Sequence, residues 1–307
     1  MARLNISLPD DLYEAAKKWR GTMNLSEICA KALRAELEAA ELDRLPGGLL
    51  WSLKPPSRLE KTLAKRFGLK AAVITDTPED PLDLPEVLGS EAARYLDSHL
   101  SDDALLAIAG GRQMWRVVRN LSQRSIRITI TALGIHENDP QVLHVHPNTL
   151  TTLLWLLYSP GAVAKLVAAG TFDSLWRPNL PVKERPSYFV VASCGPFQNG
   201  SPFANLIGPQ ATRNLLERGA SGDFAYIFFD KDGQLLEPPD YRVSPTNGID
   251  HSLFSAQQLR DLSKRPDACV LAVAGGESKV LPLRHALDNQ LCNVVVTDHD
   301  TATELLC

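Results

Sequence analysis

Leu105-Leu106-Ala107-Ile108-Ala109-Gly110-Gly111 and Val270-Leu271-Ala272-Val273-Ala274-Gly275-Gly276 share one form: an apolar run, two glycines, then a helical period. A run without polar alternation has no face to offer water, so each reads as a strand covered on both sides, as in a parallel sheet between helices. The glycine pair lets the backbone turn into the following helix and leaves room for another group to approach the main chain.

Outward from these two turns the same alternation repeats. Candidate strands are Ala71 to Thr75, Ala104 to Ala109, Ile126 to Ala132, Tyr188 to Ala192, Phe224 to Phe229, Ala268 to Ala274 and Asn293 to Thr297. Helical periods lie near Leu59 to Phe67, Val87 to His99, Gln113 to Leu121, Leu150 to Tyr158, Pro209 to Arg218, Ala256 to Ser263, Lys279 to Asn289 and Thr301 to Leu306. Short β-branched runs separated by helices predict an α/β domain of about 250 residues built on an open, mostly parallel, Rossmann-like sheet. Two strand-glycine-helix turns in one sheet, the second followed by Lys279, point to a phosphate or carboxylate held against helix-terminal amides. Tight packing also selects glycine at such turns, and that reading stands beside the first.

The C-terminal stretch Ala272-Val273-Ala274-Gly275-Gly276-Glu277-Ser278-Lys279, with Asn293-Val294-Val295-Val296-Thr297-Asp298-His299-Asp300-Thr301-Ala302 and Leu305-Leu306 after it, resembles the end of the sugar-binding domain of SorC-type transcriptional regulators. Gly222-Asp223-Phe224, Phe229-Asp230 with Asp232-Gly233, and Leu88-Gly89 with Ala92-Ala93 and Tyr95-Leu96 carry the same resemblance, from about Ser57 to Leu306. It implies an effector-binding domain related in fold to sugar-phosphate isomerases, without catalysis. It also implies a pocket in which a glycine turn and the lysine after the second glycine pair cradle a phosphorylated sugar. Gly110, Gly111, Gly275, Gly276 and Lys279 match that pattern, and Asp223 is implied to face the pocket. Arg112-Gln113-Met114 stands where a threonine is expected; Arg112 can itself hold a phosphate bidentately, and Gln113 is placed beside it. Ser193-Cys194-Gly195-Pro196 departs from the glycine-isoleucine-glycine usual at its place.

At the other end, Arg3-Leu4-Asn5-Ile6-Ser7-Leu8-Pro9 alternates polar with apolar and stops at a proline. Period two puts Arg3, Asn5 and Ser7 on one face of a strand. Leu12, Ala15, Ala16 and Trp19, and then Leu25, Ile28, Cys29, Ala32 and Leu33, recur at helical spacing, with Asn24 and Glu27 as a capping box for the second helix. Strand, helix and helix in about forty residues cannot bury a sufficient core alone, so the economical solution is a dimer whose strands pair as a ribbon. The segment resembles the ribbon-helix-helix DNA-binding family of the Arc, MetJ and CopG type. That implies base contacts from Arg3, Asn5 and Ser7 and a phosphate held by the amides near Asn24, Leu25 and Ser26. A plain dimerisation ribbon is the bland alternative. Acidic side chains match the basic ones in this segment, so binding would lean on base contacts more than on bulk charge.

Leu45-Pro46-Gly47-Gly48 and Lys54-Pro55-Pro56 break any helix and read as a linker. The expected organisation is residues 1–44 for the ribbon unit, 45–56 for the linker and 57–307 for the effector domain. Over 307 residues a net charge of -4 gives no pull of the whole chain toward nucleic acid or anionic membrane. The sequence starts without a basic, apolar leader, and no apolar run has the length of a membrane span. Five scattered cysteines without a C-x-x-C pair argue against a disulfide framework, so the cytoplasm is the expected compartment.

His136, His144 and His146 lack metal-site spacing and read as surface histidines, and Cys194 as a small core residue rather than a nucleophile. Trp155, Tyr158 and Trp176 read as core, and Asp230-Lys231-Asp232-Gly233 as a turn. Together these readings predict a homodimeric or tetrameric DNA-binding regulator controlled by a small anionic metabolite, with no cofactor and no membrane partner. The competing class is an isomerase-like enzyme with Glu277 as its base and the ribbon as a dimerisation device. An antitoxin-like module is a third class, disfavoured by the long folded domain.

Overall fold

The first strand among the described residues, β1 (Ala71–Thr75), pairs in parallel with the last, Val294–Asp298, so the two ends of the described chain are joined side by side. The computed structural model describes residues 56–133, 143–165, 187–201, 204, 209–236 and 254–307. Helix α1 (Arg58–Phe67) opens with a capping box, Ser57 and Glu60 exchanging side-chain and backbone hydrogen bonds, and ends at Gly68, whose φ of 66° is open to glycine at little cost. Then come α2 (Leu84–His99), β2 (Leu105–Ile108), α3 (Arg112–Asn120), β3 (Thr129–Ala132), α4 (Pro147–Tyr158), β4 (Val163–Lys165), β5 (Tyr188–Ala192), β6 (Cys194–Pro196), α5 (Pro209–Glu217), β7 (Ala220–Phe224) and β8 (Ile227–Asp230). The chain closes with α6 (Ala256–Ser263), β9 (Ala268–Val273), α7 (Glu277–Asp288), β10 (Val294–Asp298) and α8 (His299–Leu306).

Among the described residues the main sheet is parallel throughout, in the order β1-β10-β9-β5-β2-β3-β4. β2, β5, β9 and β10 are buried along their whole length, as their unbroken apolar runs require. Between α2 and α3 the close approach is set by Gly89: a Cβ there would lie 2.6 Å from the Cβ of Arg116. At the other end of the strands Asn293 is buried, with its Oδ1 accepting from the Val270 N–H at 2.8 Å. Its Nδ2 donates to the Ser263 and Ala268 carbonyls at 2.9 and 3.0 Å, fixing where β9 begins.

Topology decides where a ligand can sit. From β2 the chain steps outward through β3 to β4, returns to β5 on the opposite side of β2, and then steps the other way through β9 to β10. The strand order reverses between β2 and β5, and at such a reversal the loops leaving the carboxyl ends diverge and open a crevice.

Several sequence expectations change. Phe224 to Phe229 is not one strand but the close of β7, a two-residue turn and the start of β8, within a small antiparallel sheet ordered β6-β7-β8. Ala225 and Tyr226 make that turn at φ 52° and 67°, and neither is a residue type that announces a hairpin, so the apolar run conceals it. The three-residue strands β4 and β6 are too short to show a period. Ile126 and Ile128 are buried ahead of β3 rather than within it. His146 is not a surface histidine: it is buried and caps α4, its Nδ1 accepting from the Asn148 N–H at 3.2 Å, while His144 is exposed. Tyr158 is core, but Trp155 is 39% exposed. The turn at Asp230 is as expected, with its Oδ1 accepting from the Asp232 and Gln234 N–H groups. Arg3, Asn5, Ser7, Asn24, Leu25, Ser26, His136 and Trp176 lie outside the described residues. No helix among the described residues is long and apolar enough to cross a membrane.

Candidate functional site

β2, β5 and β9 run side by side in register, so the segments leaving their carboxyl ends are neighbours although far apart in sequence. β2 leaves through Ala109-Gly110-Gly111 into α3, β5 through Ser193 into β6, and β9 through Ala274-Gly275-Gly276 into α7. Lys279, in the first turn of α7, reaches across to the β5 exit, where its Nζ donates to the Cys194 carbonyl at 2.9 Å and to Ser193 Oγ at 3.3 Å. The β7–β8 hairpin closes the ring from above the strand ends. Its Tyr226 hydroxyl accepts from the Gly110 N–H at 2.7 Å, and Asp223 Oδ2 accepts from the Tyr226 N–H at 3.4 Å. Asp223 stands opposite Gly195 in the β6–β7 register, one residue from Cys194. Gly110, Asp223 and Lys279, picked out separately in the sequence, are thus joined through Tyr226, Ser193 and Cys194.

Burial pushes the Asp223 carboxyl up to about 7, against the pull of the Tyr226 N–H and the Lys279 charge. A carboxyl balanced near neutrality can accept from a ligand hydroxyl or donate to one. Burial likewise pushes the Cys194 thiol up to about 12, opposed by Lys279, so at neutral pH it is a thiol with no nucleophilic character. Among the described residues no group of His, Cys, Asp and Glu side chains is arranged to hold a metal.

The two glycine turns differ. Gly111 caps α3 at φ 112° and its N–H donates to the Val145 carbonyl at 2.9 Å; among the described residues no side chain caps the helix and a Cβ placed on Gly111 would meet nothing within 4 Å, so open space faces its amino end there. Arg112 is exposed at its first position, whereas Gln113 is turned away, donating from Nε2 to the Pro85 carbonyl at 2.9 Å. Gly110 is held by packing, since a Cβ there would lie 2.8 Å from Pro147 Cδ.

At the β9 turn the anion is the chain's own Asp298. The Gly276 N–H donates to Asp298 Oδ2 at 3.1 Å and to Thr301 Oγ1 at 2.8 Å, and the Thr301 hydroxyl donates to the same Oδ2 at 2.6 Å. Thr77 donates to Oδ1 at 3.1 Å. Burial alone would raise the Asp298 carboxyl, but the hydrogen bonds from Thr301, Gly276 and Thr77 outweigh it and hold it below the usual range. Beside this turn lies a cleft of about 420 Å³ lined by Thr77, Leu84, Glu277, Asp300 and Glu304 among others; Lys279 is not part of its wall. Glu277 is exposed there, away from the ring at the β2–β5 crevice.

Sequence reasoning missed Tyr226, hidden inside an apolar run, and gave Ser193 no role although it opens the segment that departs from glycine-isoleucine-glycine.

The chain matches the family model Sugar-bind, a sugar-binding domain, over residues 53–153 and 187–307. Two relatives are the central glycolytic genes regulator of Bacillus subtilis (24% identical over 294 residues, 92% of this chain and 81% of the relative) and the sorbitol operon regulator of Klebsiella pneumoniae (26% over 273 residues, 81% and 79%). The fold is that of the full-length sorbitol operon regulator SorC from Klebsiella pneumoniae (TM-score 0.62, 21% identity, 81% of this chain and 80% of that one). A DeoR family transcriptional regulator from Listeria monocytogenes shares it (TM-score 0.59, 20% identity, 80% of this chain and 98% of that one).

Proposed function

This chain belongs to the Sugar-bind family of sugar-binding domains, and we propose that it is a DNA-binding transcriptional regulator whose operator affinity is controlled by a carbohydrate metabolite. The observation that carries the pocket is the convergence of Lys279, Asp223, Tyr226, Ser193 and the open start of α3 at the strand-order reversal. A fixed ammonium suits a ligand oxygen bearing charge, the amides opening α3 suit a ligand oxygen, and the Asp223 carboxyl suits the hydroxyls of a polyol. The names of the two relatives, one a regulator of glycolytic genes and one of a sorbitol operon, support a role in gene control. The chemistry asked of the pocket is binding alone, with no turnover and no cofactor.

In this reading residues 1–44 form a ribbon-helix-helix unit in which Arg3, Asn5 and Ser7 contact bases and Asn24, Leu25 and Ser26 hold a phosphate. Residues 45–56 link it to the effector domain, whose sheet descends from the same stock as sugar-phosphate isomerases. Paired ribbons require a homodimer, in the cytoplasm, where operator and metabolite meet. Control follows from linkage: a ligand that prefers one arrangement of the dimer shifts DNA affinity by the same coupling free energy with which DNA shifts ligand affinity.

The test is enrichment of genomic fragments on the purified full-length chain, followed by titration of sugars, sugar acids and sugar phosphates against the retained fragment. The expected result is one enriched fragment whose retention changes with one carbohydrate class. Enrichment of no fragment, or a fragment indifferent to every carbohydrate, refutes the reading.

A further inference from the structure

Tyr226 is costly where it stands. It and Ala225 occupy both central positions of the β7–β8 turn at φ 67° and 52°, a region that glycine, asparagine and aspartate enter far more readily. The ring is buried at 8% exposure, and the hydroxyl lies 2.7 Å from the Gly110 nitrogen, accepting its proton. Gly110 is the residue at which β2 stops pairing: the Ala109 N–H still bonds to the Val191 carbonyl at 2.9 Å, and the next amide donates to Tyr226 instead of to a strand. Immediately beyond, Gly111 begins α3 with no side-chain cap and with open space beside it. An anion drawn to the start of α3 would therefore find the neighbouring Gly110 donor already held by a neutral phenol, supplied by another part of the chain. On the far side of the ring, Lys279 donates to a hydroxyl and a carbonyl, neither of which is a carboxylate.

We propose that Tyr226 is a specificity-determining residue of this pocket: its hydroxyl takes the Gly110 amide that a phosphate oxygen would otherwise occupy, so the site receives a carbohydrate whose end at the β2 turn is an uncharged hydroxyl. This rests on the reading of the pocket as a carbohydrate site, and it narrows that reading by excluding phosphate from one end of it. A phosphate oxygen that is to reach the Gly110 amide must displace the phenol oxygen from it, and one that leaves the bond in place meets the phenol O–H instead of the amide. A sugar hydroxyl carries no charge that calls for the amide, and it can donate to the phenol oxygen without displacing it.

The test uses the full chain without DNA and inorganic phosphate as the probe, followed by isothermal titration and by ligand-dependent thermal melting. The wild type is expected to bind phosphate only weakly, through Lys279 without the Gly110 amide. Tyr226→Phe keeps the ring and releases the amide. Tyr226→Gly also relieves the turn, which keeps one variant folded should the other fail. Each folded variant is expected to bind phosphate about ten-fold or more tighter than the wild type, the worth of one charge-assisted hydrogen bond. Folded Phe and Gly variants that bind phosphate no better than the wild type overturn the proposal. The outcome is independent of operator control, since no DNA is present: phosphate gained by the variants with no carbohydrate effect on DNA would sink the regulatory reading and leave this one standing.

Discussion

Replacing Asp223 with asparagine should make the protein more stable at neutral and alkaline pH and flatten its pH dependence. The carboxyl lies where burial raises it from 3.8 to about 7. A raised acid pKa means that the folded state keeps its proton while the unfolded chain, titrating near pH 4, has released it. Stability contributed at this site is therefore full below about pH 4, falls as pH rises through the window from about 4 to about 7, and is level above it. At about 1.4 kcal/mol per unit the whole shift corresponds to roughly 4 kcal/mol. Asp223 is partly exposed at the crevice, and water solvates part of its ionised form, so roughly 2 kcal/mol is the effect to expect. For a domain of this size that is about 4–8 °C in Tm at pH 8. Asparagine keeps the shape and the acceptor for the Tyr226 N–H but cannot ionise. Urea unfolding of both proteins from pH 4 to 8.5 gives the difference directly, because every other titrating group cancels between them. Parallel pH profiles, or an asparagine variant less stable than the wild type at pH 8, would refute the reasoning.

Gly275→Ala would force a Cβ to 2.3 Å from Asp298 Oδ2 and 2.9 Å from Leu88 Cδ1, disturbing the hydrogen bonds that Asp298 gathers; a loss of about 2–4 kcal/mol in chemical denaturation is expected, and a change below about 1 would count against that geometry. Asn293→Ala removes three hydrogen bonds and leaves the Val270 N–H and the Ser263 carbonyl to find other partners, while the Ala268 carbonyl keeps Lys70; a loss of about 2–4 kcal/mol is expected, read by the same assay. Lys279→Ala should abolish the carbohydrate response of operator binding while leaving ligand-free DNA retention unchanged, as measured by titration against the enriched fragment. An unaltered response would remove Lys279 from the pocket.

Much of the fold is written in local pattern. The helix over Arg58–Phe67, its Ser57 and Glu60 capping box, and the buried runs Ala71–Thr75, Tyr188–Ala192 and Ala268–Val273 are fixed by near neighbours in sequence, whose period and caps survive in the folded state. The two glycine turns were legible too, as was Lys279. What local pattern could not give is the division of labour between the turns. Gly275 and Gly276 look as available to a ligand as Gly110 and Gly111 until β10 brings Asp298 and Thr301 onto the Gly276 amide.

Sequence alone therefore determined the alternation of buried strands and helices that makes the parallel sheet, and the family of the larger domain, because each depends on spacing over a few residues. Only the tertiary structure decided that Tyr226 meets Gly110 and that Lys279 meets Ser193 and Cys194. Those partners lie far apart along the chain, and they meet because parallel pairing of β2, β5 and β9 sets their ends side by side while a turn with positive φ folds the hairpin over them. No periodicity carries such a meeting. It is a consequence of strand order and register, quantities that belong to the folded chain.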